Sequence, residues 1–143
     1  MWEAGAPAVL SGITTRTVTG EYGVVDVEQL RGLIRPDSEH YVRTRIVSLE
    51  NTHNMAGGTV YPTTLTHAIC AKAHDAGLKV HLDGARVFNA AAHLGQNVAE
   101  ITKKLDSVQF CFSKGLGAPV GSMIVGSRDL IEHCRVKIGR AHV

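Results

Sequence analysis

The chain has 143 residues, 44% of them apolar and 20% charged, with a formal net charge of +2. That is the size and balance of one ordinary globular domain, and it argues against disorder. The small charge and the lack of any Lys/Arg block leave no electrostatic footprint for nucleic acid or a membrane surface as partner. No apolar run approaches the roughly 18–20 residues of a membrane span, and no charged-then-apolar leader opens the sequence. Cys70, Cys111 and Cys134 are odd in number and lack C-x-x-C spacing, which suits a reducing compartment. The expected location is cytoplasmic, with a mitochondrial address held in reserve.

The first twenty residues carry little pattern, although Ile13–Thr19 is rich in Thr and β-branched residues and reads as a candidate strand. Asp26 is placed to cap a helix with Val27, Leu30 and Ile34 on one face, stopped by Arg35-Pro36. Arg45–Glu50 reads as a strand, and Thr59–Tyr61 as a short one after the Gly57-Gly58 break. Thr63 or Thr64 is placed to cap a helix over Leu65–Ala76, with Gly77 in the left-handed position that ends it. Leu78–Leu82 is the next strand, followed by helices over Arg86–Leu94 and Val98–Lys104. Val108–Phe112 and Met123–Val125 complete the strands, and Ser127 caps a last helix bearing Leu130, Ile131 and Cys134. Strands alternating with helices of about ten residues predict an α/β domain with a mostly parallel sheet.

Ligands of open sheets sit at the carboxyl ends of the strands, and His53, Asp83 and Lys114 each come after a predicted strand. Asp83 leaves an apolar strand, where an unpaired buried carboxylate would be costly, so it needs a cationic or hydrogen-bonding partner. The plain alternative is an Asp that caps the following helix. Lys114 sits between Ser113 and Gly115; an amine in a partly apolar site becomes nucleophilic, whereas a solvated turn lysine does nothing. Arg86 offers a bidentate fork to a carboxylate, or an ion pair with Glu50 or Asp106. His53 is a candidate base beside a hydroxyl, or simply a turn residue. The other histidines show no ligand spacing, and no metal is assigned. An acid and then a lysine, each after an apolar run, is the pair that holds pyridoxal phosphate: carboxylate to pyridine nitrogen, amine to aldehyde.

Three segments together are specific. Glu50-Asn51-Thr52-His53-Asn54 with Gly57-Gly58, then His81-Leu82-Asp83-Gly84-Ala85-Arg86, then Cys111-Phe112-Ser113-Lys114-Gly115 through Gly121, resemble the low-specificity L-threonine aldolases. These are fold type I pyridoxal-phosphate enzymes similar to the β-eliminating lyases. The resemblance implies Lys114 as the Schiff-base lysine with Ser113 beside it in the cofactor site. It also implies Asp83 as partner of the pyridine nitrogen, Arg86 as ligand of the substrate carboxylate, and His53 beside the substrate hydroxyl. Residues 1–137 are then part of the cofactor-binding large domain. The family's N-terminal phosphate loop and its small C-terminal domain lie outside the chain.

Residues 138–143 leave the family pattern abruptly and are expected to be a non-native tail. The implied reaction is retro-aldol cleavage of L-threonine or L-allo-threonine to glycine and acetaldehyde, in a parent that is a homodimer or homotetramer. The piece alone is expected to be nearly inactive. The alternatives are another fold type I enzyme of β-hydroxy amino acids, such as a serine hydroxymethyltransferase or β-eliminating lyase, or a non-catalytic truncated product.

Overall fold

Short apolar runs separated by helical stretches assemble into one four-stranded sheet in the computed structural model, which describes residues 5–138. The elements are α1 (Ala6–Ser11), a 3-10 turn (Val27–Leu30), β1 (Ile46–Glu50), α2 (Thr63–Asp75) and β2 (Lys79–Asp83). After them come α3 (Val87–Leu94), α4 (Val98–Thr102), β3 (Ser107–Cys111), β4 (Ser122–Gly126) and α5 (Arg128–Ile138). The sheet order is β1-β2-β3-β4; β1, β2 and β3 are parallel and β4 is antiparallel to β3. The expected mostly parallel α/β sheet is therefore present.

Right-handed crossovers between strands laid down in one direction all pass over the same side of a sheet. Helices α2, α3 and α4 accordingly cover one face. Val47, Val80, Leu49, Leu82 and Val108 face them in register, and Ile69, Cys70 and Ala73 of α2 with Val87 of α3 fill the space above. Burial holds the Cys70 thiol up at about 11. The opposite face carries the polar rows Ser48–His81–Ser107 and Glu50–Asp83–Gln109. Burial lowers the His81 imidazole, whose Nδ1 lies 2.8 Å from Ser107 Oγ.

The two ends of the sheet differ. At the amino end of β2 the Asp106 carboxylate accepts from Lys79 Nζ, from Val80 N and, through His74 Nε2, from the α2 helix, each at 2.8 Å. Burial alone would raise its carboxyl, but these bonds outweigh it and bring it down to about 2.

Several expectations are corrected. Ile13–Thr19 is exposed and irregular: β-branched residues make a strand only with a neighbour to pair with. Asp26 does cap, with Glu28 N donating to it at 2.7 Å and Gln29 closing a capping box, but only a 3-10 turn follows. Thr59–Tyr61 shrinks to a single bridge between His53 and Thr59. Neither Thr63 nor Thr64 caps α2, which begins after Pro62; Thr63 instead bonds Gln96. Gly77 and Gly95 take the left-handed conformation expected of them, at φ 70° and 62°.

Candidate active site

Asp83 ends β2 and stands in register with Glu50 on β1 and Gln109 on β3. It is exposed, against the expectation of a buried carboxylate, because strand alternation turns it onto the face that α2–α4 do not cover. Its Oδ1 accepts from Ala85 N at 3.1 Å, which closes the turn after β2, whereas no side chain caps α3, so the expected helix cap is not formed. The second oxygen has no partner among the described residues. Gly84 has to be glycine for packing: its N donates to Gln109 O at 2.7 Å, and a β-carbon would come 2.9 Å from that oxygen and 3.1 Å from Val87 Cβ.

His53 leaves β1 through a tightly bonded loop. Its backbone N donates to Thr59 O and its carbonyl accepts from Gly58 N, both at 2.9 Å. Ring Nε2 lies 3.7 Å from Glu50 Oε2, while Glu50 Oε1 accepts from Asn54 N at 3.0 Å. Asn51 N donates to Asp83 O at 3.0 Å, tying the exits of β1 and β2 together. The Asn51 side chain is buried; Oδ1 accepts from Tyr61 N at 3.3 Å, and Nδ2 has no partner among the described residues.

Arg86 stands at the start of α3 and pairs with neither Glu50 nor Asp106 among the described residues. It lines an open cleft of about 480 Å³ with Thr52, Gly57, Gly58, Asn89 and His93. Lys114 lies in the turn after β3. Phe112 N donates to Gly121 O at 2.9 Å and Ala118 N to Phe112 O at 3.0 Å, closing the base of that turn. Gly117 and Gly121 supply its positive φ angles, 72° and 116°. Gly115 is pressed against the Asn89 amide of α3, where a β-carbon would overlap. Edge-to-face contacts of Phe88 with Phe110 and Phe110 with Phe112 underlie it.

Lys114 and Ser113 are both exposed, so the described chain supplies no apolar enclosure for the amine, contrary to expectation. The structure thus brings His53 and Asp83 together through Glu50 and Asn51, and seats the Lys114 turn on the helix that begins at Arg86. Asn51, Tyr61 and Asn89 were not singled out from sequence. Asn51 sat beside His53 as a hint, whereas nothing local marks Tyr61.

Parallel strands joined by covering helices, with an acid, an amine and a histidine at their carboxyl ends, define an α/β domain with a candidate ligand site at that edge. Across residues 1–140 the chain matches the Beta-eliminating lyase family, and it belongs to that family. The low-specificity L-threonine aldolase 1 of Arabidopsis thaliana is 43% identical over 138 residues, which are 94% of this chain and 38% of the plant protein. An alanine racemase of Cochliobolus carbonum is 39% identical over 138 residues, 94% of this chain and 34% of its own length. The solved threonine aldolase of Leishmania major superposes with a TM-score of 0.78 at 26% identity, covering 90% of this chain and 37% of that one. The chain spans about two-fifths of the length of the relatives it matches.

Proposed function

We propose that this chain is the central part of a pyridoxal-phosphate-dependent aldolase that cleaves L-threonine or L-allo-threonine to glycine and acetaldehyde. The observation that carries the reading is the pairing of Asp83 and the Lys114 turn at the ends of adjacent parallel strands, in a chain 43% identical to a threonine aldolase. The donor set fits the cofactor: Asp83 keeps one carboxylate oxygen outside its turn bond, and Lys114 is an exposed amine on a glycine-rich turn. Asp83 would hold a proton at the pyridine nitrogen, Lys114 would hold the aldehyde carbon, and Ser113 would contribute to the same site. When bound, the cofactor supplies an electron-poor ring that takes up the electron pair of the breaking Cα–Cβ bond.

The chain's own residues do the rest. Arg86 binds the substrate carboxylate through its guanidinium fork. His53 takes the proton from the β-hydroxyl, so that the oxygen becomes the carbonyl of acetaldehyde. Lys114 returns a proton at Cα as glycine leaves. The parent acts as a homodimer or homotetramer in the cytoplasm.

The racemase relative favours one competing reading, in which a proton moves at Cα and no carbon bond breaks. Incubating a chain extended to the length of its relatives with cofactor and L-threonine tests both. Glycine and acetaldehyde in equal amounts are expected; D-alanine from L-alanine without glycine from threonine would overturn the aldolase reading. The 143-residue chain alone is expected to be nearly inactive, because it bears only about two-fifths of such an enzyme.

A further inference from the structure

We propose that Tyr61, acting through Gly23, is a positioning residue for His53: its phenol ties the 23–25 loop onto the imidazole and so sets the plane of the ring. The inference rests on the reading of His53 as the group that serves the substrate hydroxyl. A working histidine is ordinarily oriented by a hydrogen bond to its second ring nitrogen. Here Nδ1 is buried and has no hydrogen-bond partner among the described residues. Nε2, 3.7 Å from Glu50 Oε2, is beyond hydrogen-bond distance. The orientation of the ring must therefore come from packing.

Gly23 supplies that packing. A β-carbon built on it would come 2.6 Å from His53 Cδ2 and 2.7 Å from Nδ1, and closer still to Cγ, so the bare backbone lies on the ring face. Its φ of 80° adds a second reason for glycine. The Tyr61 side chain bonds the backbone of the loop that carries Gly23, whose Val24 and Val25 also pack against the core. Tyr61 is 2% exposed; its hydroxyl donates to Gly23 O and accepts from Val25 N, both at 2.8 Å. Burial raises that hydroxyl, which keeps its proton available for donation. Tyr61 is also bonded through its own backbone N to Asn51, two residues before His53. One residue thus grips both the strand exit that carries the imidazole and the loop that covers it. Removing the hydroxyl frees the cover without emptying the core, because Phe fills the same space.

The test needs neither cofactor nor substrate. In the chain labelled with 15N-histidine, Tyr61→Phe is expected to shift the His53 ring resonances, broaden them several-fold or split them. Those of His67, His74, His81 and His93 should stay within a linewidth, with a melting temperature lowered by only a few degrees. Gly23→Ala, which pushes on the ring directly, should move the same resonances. Unchanged His53 signals in either folded variant would overturn the proposal, since a purely structural tyrosine lowers stability without addressing one ring. In the extended enzyme, Tyr61→Phe should lower kcat by about 10-fold with KM little changed, as expected when a reacting group is displaced by a fraction of an ångström. An unaltered kcat there would also overturn it. Failure of the unmutated enzyme to form glycine would overturn the aldolase reading instead, a result that the ring spectra do not depend on.

Discussion

Asp106 and Asp83 are carboxylates of one sheet, and the fold treats them in opposite ways. Asp106, at the amino end of β2, is surrounded by donors from Lys79, His74 and the Val80 backbone, each at 2.8 Å. Asp83, at the carboxyl end, has a single 3.1 Å bond to Ala85 N and faces solvent with its other oxygen. An acid whose bonding capacity is used up fastens strands; an acid left with capacity is available to a ligand. The same contrast runs through the neighbours: Lys79 is committed to Asp106, while Lys114 stands exposed on a glycine turn. Buried or central polar groups that lack partners mark where a fold departs from plain stability.

The sharpest way to break this contrast is at Lys114. In the extended enzyme, Lys114→Ala is expected to abolish glycine formation and the covalent attachment of cofactor that borohydride would preserve. Cofactor still trapped on that variant, located by peptide mapping to another lysine, would remove the assignment. Asp83→Asn comes next, with kcat expected to fall about 10²–10³-fold, the scale of losing a charge at a developing charge. Its melting temperature should hold, since Asn retains the oxygen that accepts from Ala85 N. Normal turnover would show that closing that turn is all Asp83 does.

Asp106 should show the reverse pattern. Asp106→Ala leaves Val80 N and the Lys79 and His74 side chains without their acceptor, and is expected to cost on the order of 1–3 kcal/mol of stability. Its folded carboxyl is held down at about 2 from an ordinary 3.8. The ionised form is therefore the one the fold favours, and its contribution is complete above about pH 4. It is lost as pH falls through about 2, because the folded state must then take up a proton that the unfolded chain already carries. Urea midpoints measured from pH 5 to pH 2 should fall for the wild-type chain and fall less for Asp106→Asn. Equal slopes would mean that the three bonds do not hold the charge. The smallest effect is expected at the sheet edge. Met123, Ile124 and Val125 of β4 are 47%, 37% and 47% exposed, and an uncovered apolar edge invites pairing with other chains. Ile124→Lys should raise the concentration at which the 143-residue chain scatters light, with little change in melting; no gain in solubility would exonerate β4.

All four strands were legible in the sequence to within about a residue, because each is an apolar run bounded by turn residues. Gly77 and Gly95 announced helix ends for the same local reason. What failed was whatever depends on distant partners. Ile13–Thr19 has strand propensity and no strand beside it, and the Asp26 cap starts a turn that α2 contacts but that does not propagate. In the site, the order Asp83, Arg86, Lys114 was visible as spacing. The exposure of Asp83 was not, since it follows from both crossovers passing over the other face. Tyr61 stays silent for a related reason: its hydroxyl bonds residues 36 and 38 positions away.

The strands lie in space in the order in which they occur along the chain. Each new strand therefore pairs with the one made just before it, although a helical crossover must close first, since Ile46 lies opposite Lys79 and His81 opposite Ser107. Such a sheet is suited to growing from β1 outward as the polypeptide emerges, with α2 and α3 packing down in turn. On that course the Asp106 clasp and the Asp83 turn set when β3 docks. The Lys114 turn comes to rest on α3 only after β4 has folded back, so Lys114 is among the last residues of this segment to reach its place.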